Sequence, residues 1–172
     1  MIYIGISRSW DGTIGIIDEN DKPVLVKVPW RYWGGRNQKH LDYKKFKELL
    51  QPYASTPMND VRSQINAKAL VEFPFNGKGI NSGRGKVLAS TRFFEAELAI
   101  LEVLGISVEF IEPIDWHHDL FTGKFYKLTP KQASLEYGNE LYPELKQNKA
   151  KDRDGICLAH YLKNIKNYKK QF

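Results

Sequence analysis

Met1–Asn20, MIYIGISRSWDGTIGIIDEN, is the stretch whose reading decides the fold. Met1–Ile6 reads as a short buried strand, Ser7–Gly12 as a polar turn, and Thr13–Asp18 as a second strand running back beside it. Asp11-Gly12 is a strong hairpin signal, because glycine accepts the positive φ that tight turns require. In the first strand Ile2, Ile4 and Ile6 share one face, and Tyr3, Gly5 and Ser7 share the other. The end of such a strand can present one polar side chain to a cleft, which places any chemistry beside Ser7.

Outward from this hairpin, Asn20-Asp21-Lys22 is a second turn and Pro23–Val28 a third strand, so the chain opens as an antiparallel meander. Pro29–Arg36 reads as an aromatic and basic loop. It either caps the sheet edge or contacts nucleic acid, with Arg31 and Arg36 on phosphate and an aromatic on a base. Leu41–Tyr53 has the spacing of an amphipathic helix, with Asp42 near its start suiting the dipole, and Met58–Asn66 is ambiguous. Ser90–Leu104 is the strongest helix: Phe93, Phe94, Leu98, Leu101 and Leu104 form its apolar side, and Glu95, Glu97 and Glu102 fall elsewhere. Ser90 or Thr91 can cap it and Gly105 ends it. It joins strands Ala67–Phe75 and Ile106–Ile111 as a crossover unit, so these two are expected to be parallel neighbours. Pro113–Gly123 is a helix start or a loop near the cleft. Its adjacent His117 and His118 cannot face one point on a regular element, which argues against a histidine metal site. Thr129–Lys146 reads as helical with interruptions at Gly138 and Pro143, and Lys149–Leu162 as the last helix, followed by basic Lys163, Lys166, Lys169 and Lys170.

Composition narrows the function. At 172 residues, with 42% hydrophobic and 13% aromatic residues, the chain suits one domain with a real core. It contains no 18-residue apolar run and no basic-then-apolar leader, so neither a membrane span nor a secretory signal is expected. A lone Cys157 rules out an internal disulfide and a cysteine zinc cluster, and suits a reducing cytoplasm. A net charge of +6 and a pI near 9.3 favour an anionic partner.

Two further stretches carry chemistry. Glu72 interrupts the apolar strand Ala67–Phe75; a carboxylate there is costly unless paired, protonated or bound to a cation, or unless the strand is an edge with Glu72 facing solvent, as Pro74 would allow. Asn76–Ser90, NGKGINSGRGKVLAS, has four glycines and no acid. With Lys78, Arg84, Lys86 and Arg92 it makes a basic loop suited to phosphate, though it lacks the Gly-Lys-Ser/Thr phosphate-cradling motif; its plainer reading is a linker. Asp152 and Asp154 open the last helix, either as ordinary caps or as part of a site. Brought together, such carboxylates could hold two Mg²⁺ ions about 3.5–4 Å apart, activating water and stabilising the leaving oxygen in phosphodiester hydrolysis.

At these residues the chain resembles the RuvC-type Holliday junction resolvases of the RNase H-like superfamily, especially small phage-borne members. Ile4-Gly5-Ile6-Ser7 is similar to the family's Ile-Gly-Ile-Asp, Val71-Glu72-Phe73-Pro74-Phe75 to its glutamate strand, and Asp154-Gly155-Ile156-Cys157-Leu158-Ala159 to its Asp-Ala-Leu-Ala-Ile-Ala helix. The resemblance implies an α/β fold: a single RNase H-like nuclease domain over residues 1–172, with a mixed five-stranded sheet, antiparallel in strands 1–3 and then parallel, flanked by helices. It implies a homodimer that nicks four-way and other branched DNA in pairs with Mg²⁺ or Mn²⁺, in the cytoplasm of a bacterial host. Glu72 and Asp154, with Asp152, would be the metal ligands; Phe75 would probe bases near the junction centre; and Lys78, Arg84, Lys86 and Arg92 would touch DNA with Arg31 and Arg36. The family's first aspartate is Ser7 here, and a hydroxyl cannot replace a bridging carboxylate. Either the enzyme is silenced at that position, or Asp11 or Asp18 compensates (Asp11 being poorly placed in the turn), or the protein binds junctions without cutting. Lys151 stands where the family usually has an acid or histidine, with Asp152 one residue later. A sugar-kinase-like ATPase also opens on a glycine hairpin, but this chain is short for its two lobes.

Overall fold

A computed structural model of the chain describes the backbone of residues 1–7, 11–33, 36–54, 66–73 and 84–168; side chains at 33, 36–38, 84–90 and 166–168 are not described. Pro74, Phe75, Lys78 and most of Met58–Asn66 therefore lie outside the described residues, as do Lys169 and Lys170.

The opening meander forms as its turns dictate. Ile2–Ile6 (β1), Thr13–Ile17 (β2) and Pro23–Lys27 (β3) pair antiparallel in succession. Ala67–Glu72 (β6) then joins β1 in parallel, and Ser107–Ile111 (β7) joins β6 in parallel, giving the sheet order β3-β2-β1-β6-β7. The expected mixed five-stranded sheet and the expected parallel neighbours are both present. β6 is interior rather than an edge, so Glu72, only 5% exposed, does not face solvent.

Helices cover both faces because alternate residues of β1 and β6 are apolar on each side. Tyr43–Leu50 (α1) and Arg84–Val103 (α2) pack over Ile4, Ile6, Ala69 and Val71. Pro113–Leu120 (α3), Pro130–Leu141 (α4) and Asp154–Tyr168 (α5) cover the opposite face, where Leu70 meets Trp116, Cys157 and Leu158. No helix among the described residues is long and apolar enough to cross a membrane, and Cys157 is buried and free.

Four readings of the sequence are corrected. Pro29–Arg36 is not simply a loop: Trp30–Trp33 (β4) and Arg36–Leu41 (β5) pair antiparallel as a separate ribbon, and Leu41 belongs to that ribbon rather than to a helix. The helix after it starts later, with Asp42 Oδ1 capping the Lys45 amide at 3.2 Å. The basic segment Asn76–Ser90 gives way to α2 at Arg84, one and a half turns before the Ser90 or Thr91 caps expected, because Arg84–Ala89 contains no residue that stops a helix after Gly85. Gly138 does not interrupt α4, whose capping box of Thr129 and Gln132 starts a helix running to Leu141. Its missing side chain instead makes room for Arg153, whose Cβ would lie 2.5 Å from a Cβ at position 138.

Glu97 is the fourth correction. It lies on the core side of α2, one turn from buried Phe93 and Leu101, and is 2% exposed. Its Oε1 has no hydrogen-bond partner among the described residues. Burial raises its pKa to about 8. A carboxyl whose folded pKa lies above its unfolded one binds an extra proton when folded, so stability falls as pH rises from about 4.5 to about 8. Glu97→Gln is expected to flatten that decline and to gain roughly 2 kcal/mol at pH 9, several degrees in thermal midpoint. Thermal unfolding at pH 5 and pH 9 checks this; an unchanged pH slope in the variant would refute it.

The seating of α5 fixes everything that follows. A Cβ at Gly5 would stand 2.1 Å from Gly155 O, and one at Gly15 would stand 2.2 Å from Ile156 N. A Cβ at Gly155 would meet Gly15 N at 2.5 Å and Thr13 O at 2.6 Å. The start of α5 thus lies backbone against backbone on the β1–β2 hairpin, an approach that only glycine allows.

Candidate active site

Parallel pairing puts Ser7 and Glu72 side by side. Ile6 pairs with Val71 in the β1–β6 register, so the next residue of each strand emerges at the same end of the sheet. The glycine contact then brings the N-terminal end of α5 over that end. Ser7, Asp11, Glu72, Asp152 and Asp154 line one pocket of about 180 Å³, together with His117 and Lys131. The four positions named from the sequence, three of them carboxylates, are therefore gathered from three distant segments.

Each is held by a neighbour. Thr13 N–H donates to Ser7 Oγ at 2.8 Å, fixing the buried hydroxyl at the mouth of the hairpin. Thr13 Oγ1 donates to Asp152 Oδ1 at 3.0 Å and accepts from Gly155 N–H at 2.9 Å, so one hydroxyl ties β2 to an acid and to the first turn of α5. Trp116, fully buried, donates its indole N–H to Glu72 Oε1 at 3.2 Å. These contacts fix the orientation of the Asp152 and Glu72 carboxylates.

Asp154 is treated differently. Its Oδ1 is buried without a hydrogen-bond partner among the described residues. Burial is the largest cause raising its pKa to about 7; the charge of Asp152 and, less strongly, of Glu72 adds to it, while Ser134 and Lys131 oppose it. An acid cluster with an unpartnered buried oxygen is under-neutralised as it stands.

The donors are carboxylate oxygens, the type a hard divalent cation prefers, and the Asp154 oxygen gives such an ion an otherwise unused ligand. Yet among the described residues no three His, Cys, Asp or Glu side chains converge closely enough to form a ready-made metal site. At position 7 a neutral hydroxyl stands among the acids.

Other expected residues fall outside this cluster. Arg31 on β4 and Arg92 on α2 are exposed and do not line the pocket, and the side chains of Arg36, Arg84 and Lys86 are not described. Asp18 caps the opposite end of the hairpin, accepting from Asn20 and Lys22 amides at 2.8 Å each, and cannot compensate for Ser7. Asp11, which spacing made a poor substitute, does line the pocket from its exposed turn. His117 faces the pocket while His118 lines a separate groove beside β7, as expected of adjacent residues on a helix. Thr13, Trp116 and Lys131 were not anticipated. The one sequence signal for Trp116 is its place at the core-facing position of an eight-residue helix opened by Pro113.

No protein-family profile matches the chain, and no curated protein matches it. Solved structures do. The chain superimposes on Thermus thermophilus RuvC in complex with a Holliday junction substrate with a TM-score of 0.57 and 13% identity, covering 95% of each chain. A second Thermus thermophilus RuvC structure gives a TM-score of 0.51 and 15% identity, covering 95% of this chain and 96% of that one. At such identities the likeness is one of fold, and the fold is RuvC-like and RNase H-like.

Proposed function

We propose that this chain, as a single domain over residues 1–172, is a junction resolvase of the RuvC type that recognises four-way and other branched DNA and whose cleavage is silenced by Ser7. The observation that carries the reading is the meeting of Ser7, Glu72, Asp152 and Asp154 in one pocket at the end of two parallel strands. Such a pocket has little structural purpose: three buried or half-buried acids repel one another, and in the absence of a ligand they cost stability.

Glu72, Asp152 and Asp154 would hold Mg²⁺ or Mn²⁺, which when bound supplies an activated water and neutralises charge at a scissile phosphodiester. The chain's own residues do the positioning. Trp116 holds Glu72, Thr13 holds Asp152 and the start of α5 together, and Lys131 offers a cation to a phosphate entering the pocket. On and after the segment leaving β6, Phe75 would probe bases near the junction centre, and Lys78, Arg84, Lys86 and Arg92 would contact the DNA. Nicking two opposed strands requires two such pockets, so the active form is a homodimer, working in the cytoplasm of a bacterial host, as a phage-encoded protein.

A second reading is favoured by the firm hydrogen bond that Ser7 accepts from Thr13: a protein built to bind branched DNA without cutting it. A gel shift comparing a four-way junction with a linear duplex of equal length tests what both readings share. Tighter binding to the junction by tenfold or more is expected, and equal affinity for the two would overturn both. Cleavage by Ser7→Asp, taken up in the Discussion, separates them.

A further inference from the structure

We propose that the β4–β5 ribbon is a second nucleic-acid site, a stacking platform for unpaired nucleotides of single-stranded DNA, centred on Tyr32 and Trp30. The inference rests on the branched-DNA reading only in taking DNA as the polymer. Its residues lie outside the acidic pocket.

Three observations carry it. The first is aromatic exposure: Tyr32 is 60% exposed and Trp30 37% exposed. Two residues apart on one strand, they project from the same face of the ribbon. A two-stranded ribbon gains little by displaying large rings to water, so exposure here is a cost without a structural return.

The second is that the rings are held in place. Trp30 and Tyr32 meet edge to face with centroids 5.2 Å apart, and Lys39, directly across from Tyr32 in the strand register, places its Nζ 4.1 Å from the centre of the Trp30 ring. One face of Trp30 is thereby occupied by a cation, and Tyr32 is steadied at its side while remaining largely open. Preorganised rings lose little freedom when a base stacks on them.

The third is charge. Residues 29–41 hold Arg31, Arg36 and Lys39 and no carboxylate, with Lys39 on the face of the ribbon that carries Tyr32. Aromatic rings interleaved with cations are what a single strand needs: each base offers a π face, and the phosphate between successive bases lies within reach of a neighbouring cation. A duplex hides its base faces, so stacking on Tyr32 selects unpaired nucleotides, such as those in the opened centre or gapped arm of a branched structure.

The test measures binding of the full-length chain to an oligo-dT strand, a linear duplex and a four-way junction, using Tyr32→Ala and Tyr32→Phe. Loss of one stacked base should weaken oligo-dT binding roughly five- to a hundredfold in Tyr32→Ala, and Tyr32→Phe should retain it. Duplex binding should change less than twofold in either variant. Lys39→Gln should reduce the salt dependence of oligo-dT binding by about 0.7 in the log–log slope. An oligo-dT affinity unchanged in Tyr32→Ala, or a loss equal for strand and duplex, overturns the platform while leaving the junction reading intact. A chain that binds oligo-dT through Tyr32 but shows no preference for the junction overturns the previous reading and supports this one.

Discussion

Ser7→Asp is expected to bring Mg²⁺-dependent nicking of a four-way junction to at least about a hundredfold above the unaltered chain, which corresponds to roughly 2.7 kcal/mol of transition-state stabilisation. The scaffold for this already exists. Position 7 is buried at the end of β1, beside Glu72 in the parallel register, and the Thr13 amide that donates to the hydroxyl at 2.8 Å can donate equally to a carboxylate. A further acid in the pocket also sharpens the repulsion that raises the Asp154 pKa. The variant should therefore melt lower than the parent in EDTA and recover on adding Mg²⁺, since an ion bound only by the folded state stabilises it. Junction cleavage in Mg²⁺ and thermal melts with and without the ion measure both effects. If Ser7→Asp binds junctions but neither cuts nor gains stability from Mg²⁺, the silenced-enzyme reading fails and the binding-only reading stands.

Arg153→Ala is expected to lose roughly 3–5 kcal/mol of stability. Arg153 is 1% exposed, yet its guanidinium is fully engaged. Nε donates to Asn139 Oδ1 at 2.9 Å, Nη1 to Ala150 O at 3.0 Å and Asp152 O at 3.2 Å, and Nη2 to Leu145 O at 2.7 Å and Asn148 O at 3.3 Å. Truncation would leave these carbonyls short of a donor and open a cavity beside Gly138, where the stem of the arginine now packs. Lysine reaches too few of these acceptors, so Arg153→Lys should lose more than half as much. Because these bonds knit the approach to α5 between the two aspartates, both variants should also weaken junction cleavage in the Ser7→Asp background. Urea unfolding provides the measurement, and a loss below about 1 kcal/mol for Arg153→Ala would show that the network is slack.

The sheet and the acidic positions were legible because their signals are local. Turn residues at Asp11-Gly12 and Asn20–Lys22 punctuate the meander, and a long apolar-faced helix between two strands implies a parallel pair. The ribbon at residues 30–41 was missed although Gly34-Gly35 separates its two runs, because its arginines and tryptophans spoke more loudly for a binding loop than its length did for strands. Glu97 was assigned to the polar side of α2, since an apolar stripe says which residues face inward but not that a charged one has joined them. The supports of the pocket were beyond reach for a different reason. Thr13 lies 139 residues from Asp152, and Trp116 lies 44 from Glu72, and no periodicity encodes a partnership across such distances. Local signals marked the acids but not the residues that hold them.

The glycine seam under α5 also decides which losses can be undone. With main chain touching main chain at Gly5, Gly15 and Gly155, these three contacts have no side chain whose bulk could retune the seating of α5. On the silenced-enzyme reading, the mould for an acid at position 7 would persist for as long as Gly5, Gly15 and Gly155 stay as they are. A bulkier residue at any of the three glycines would instead lift the helix and scatter the acids.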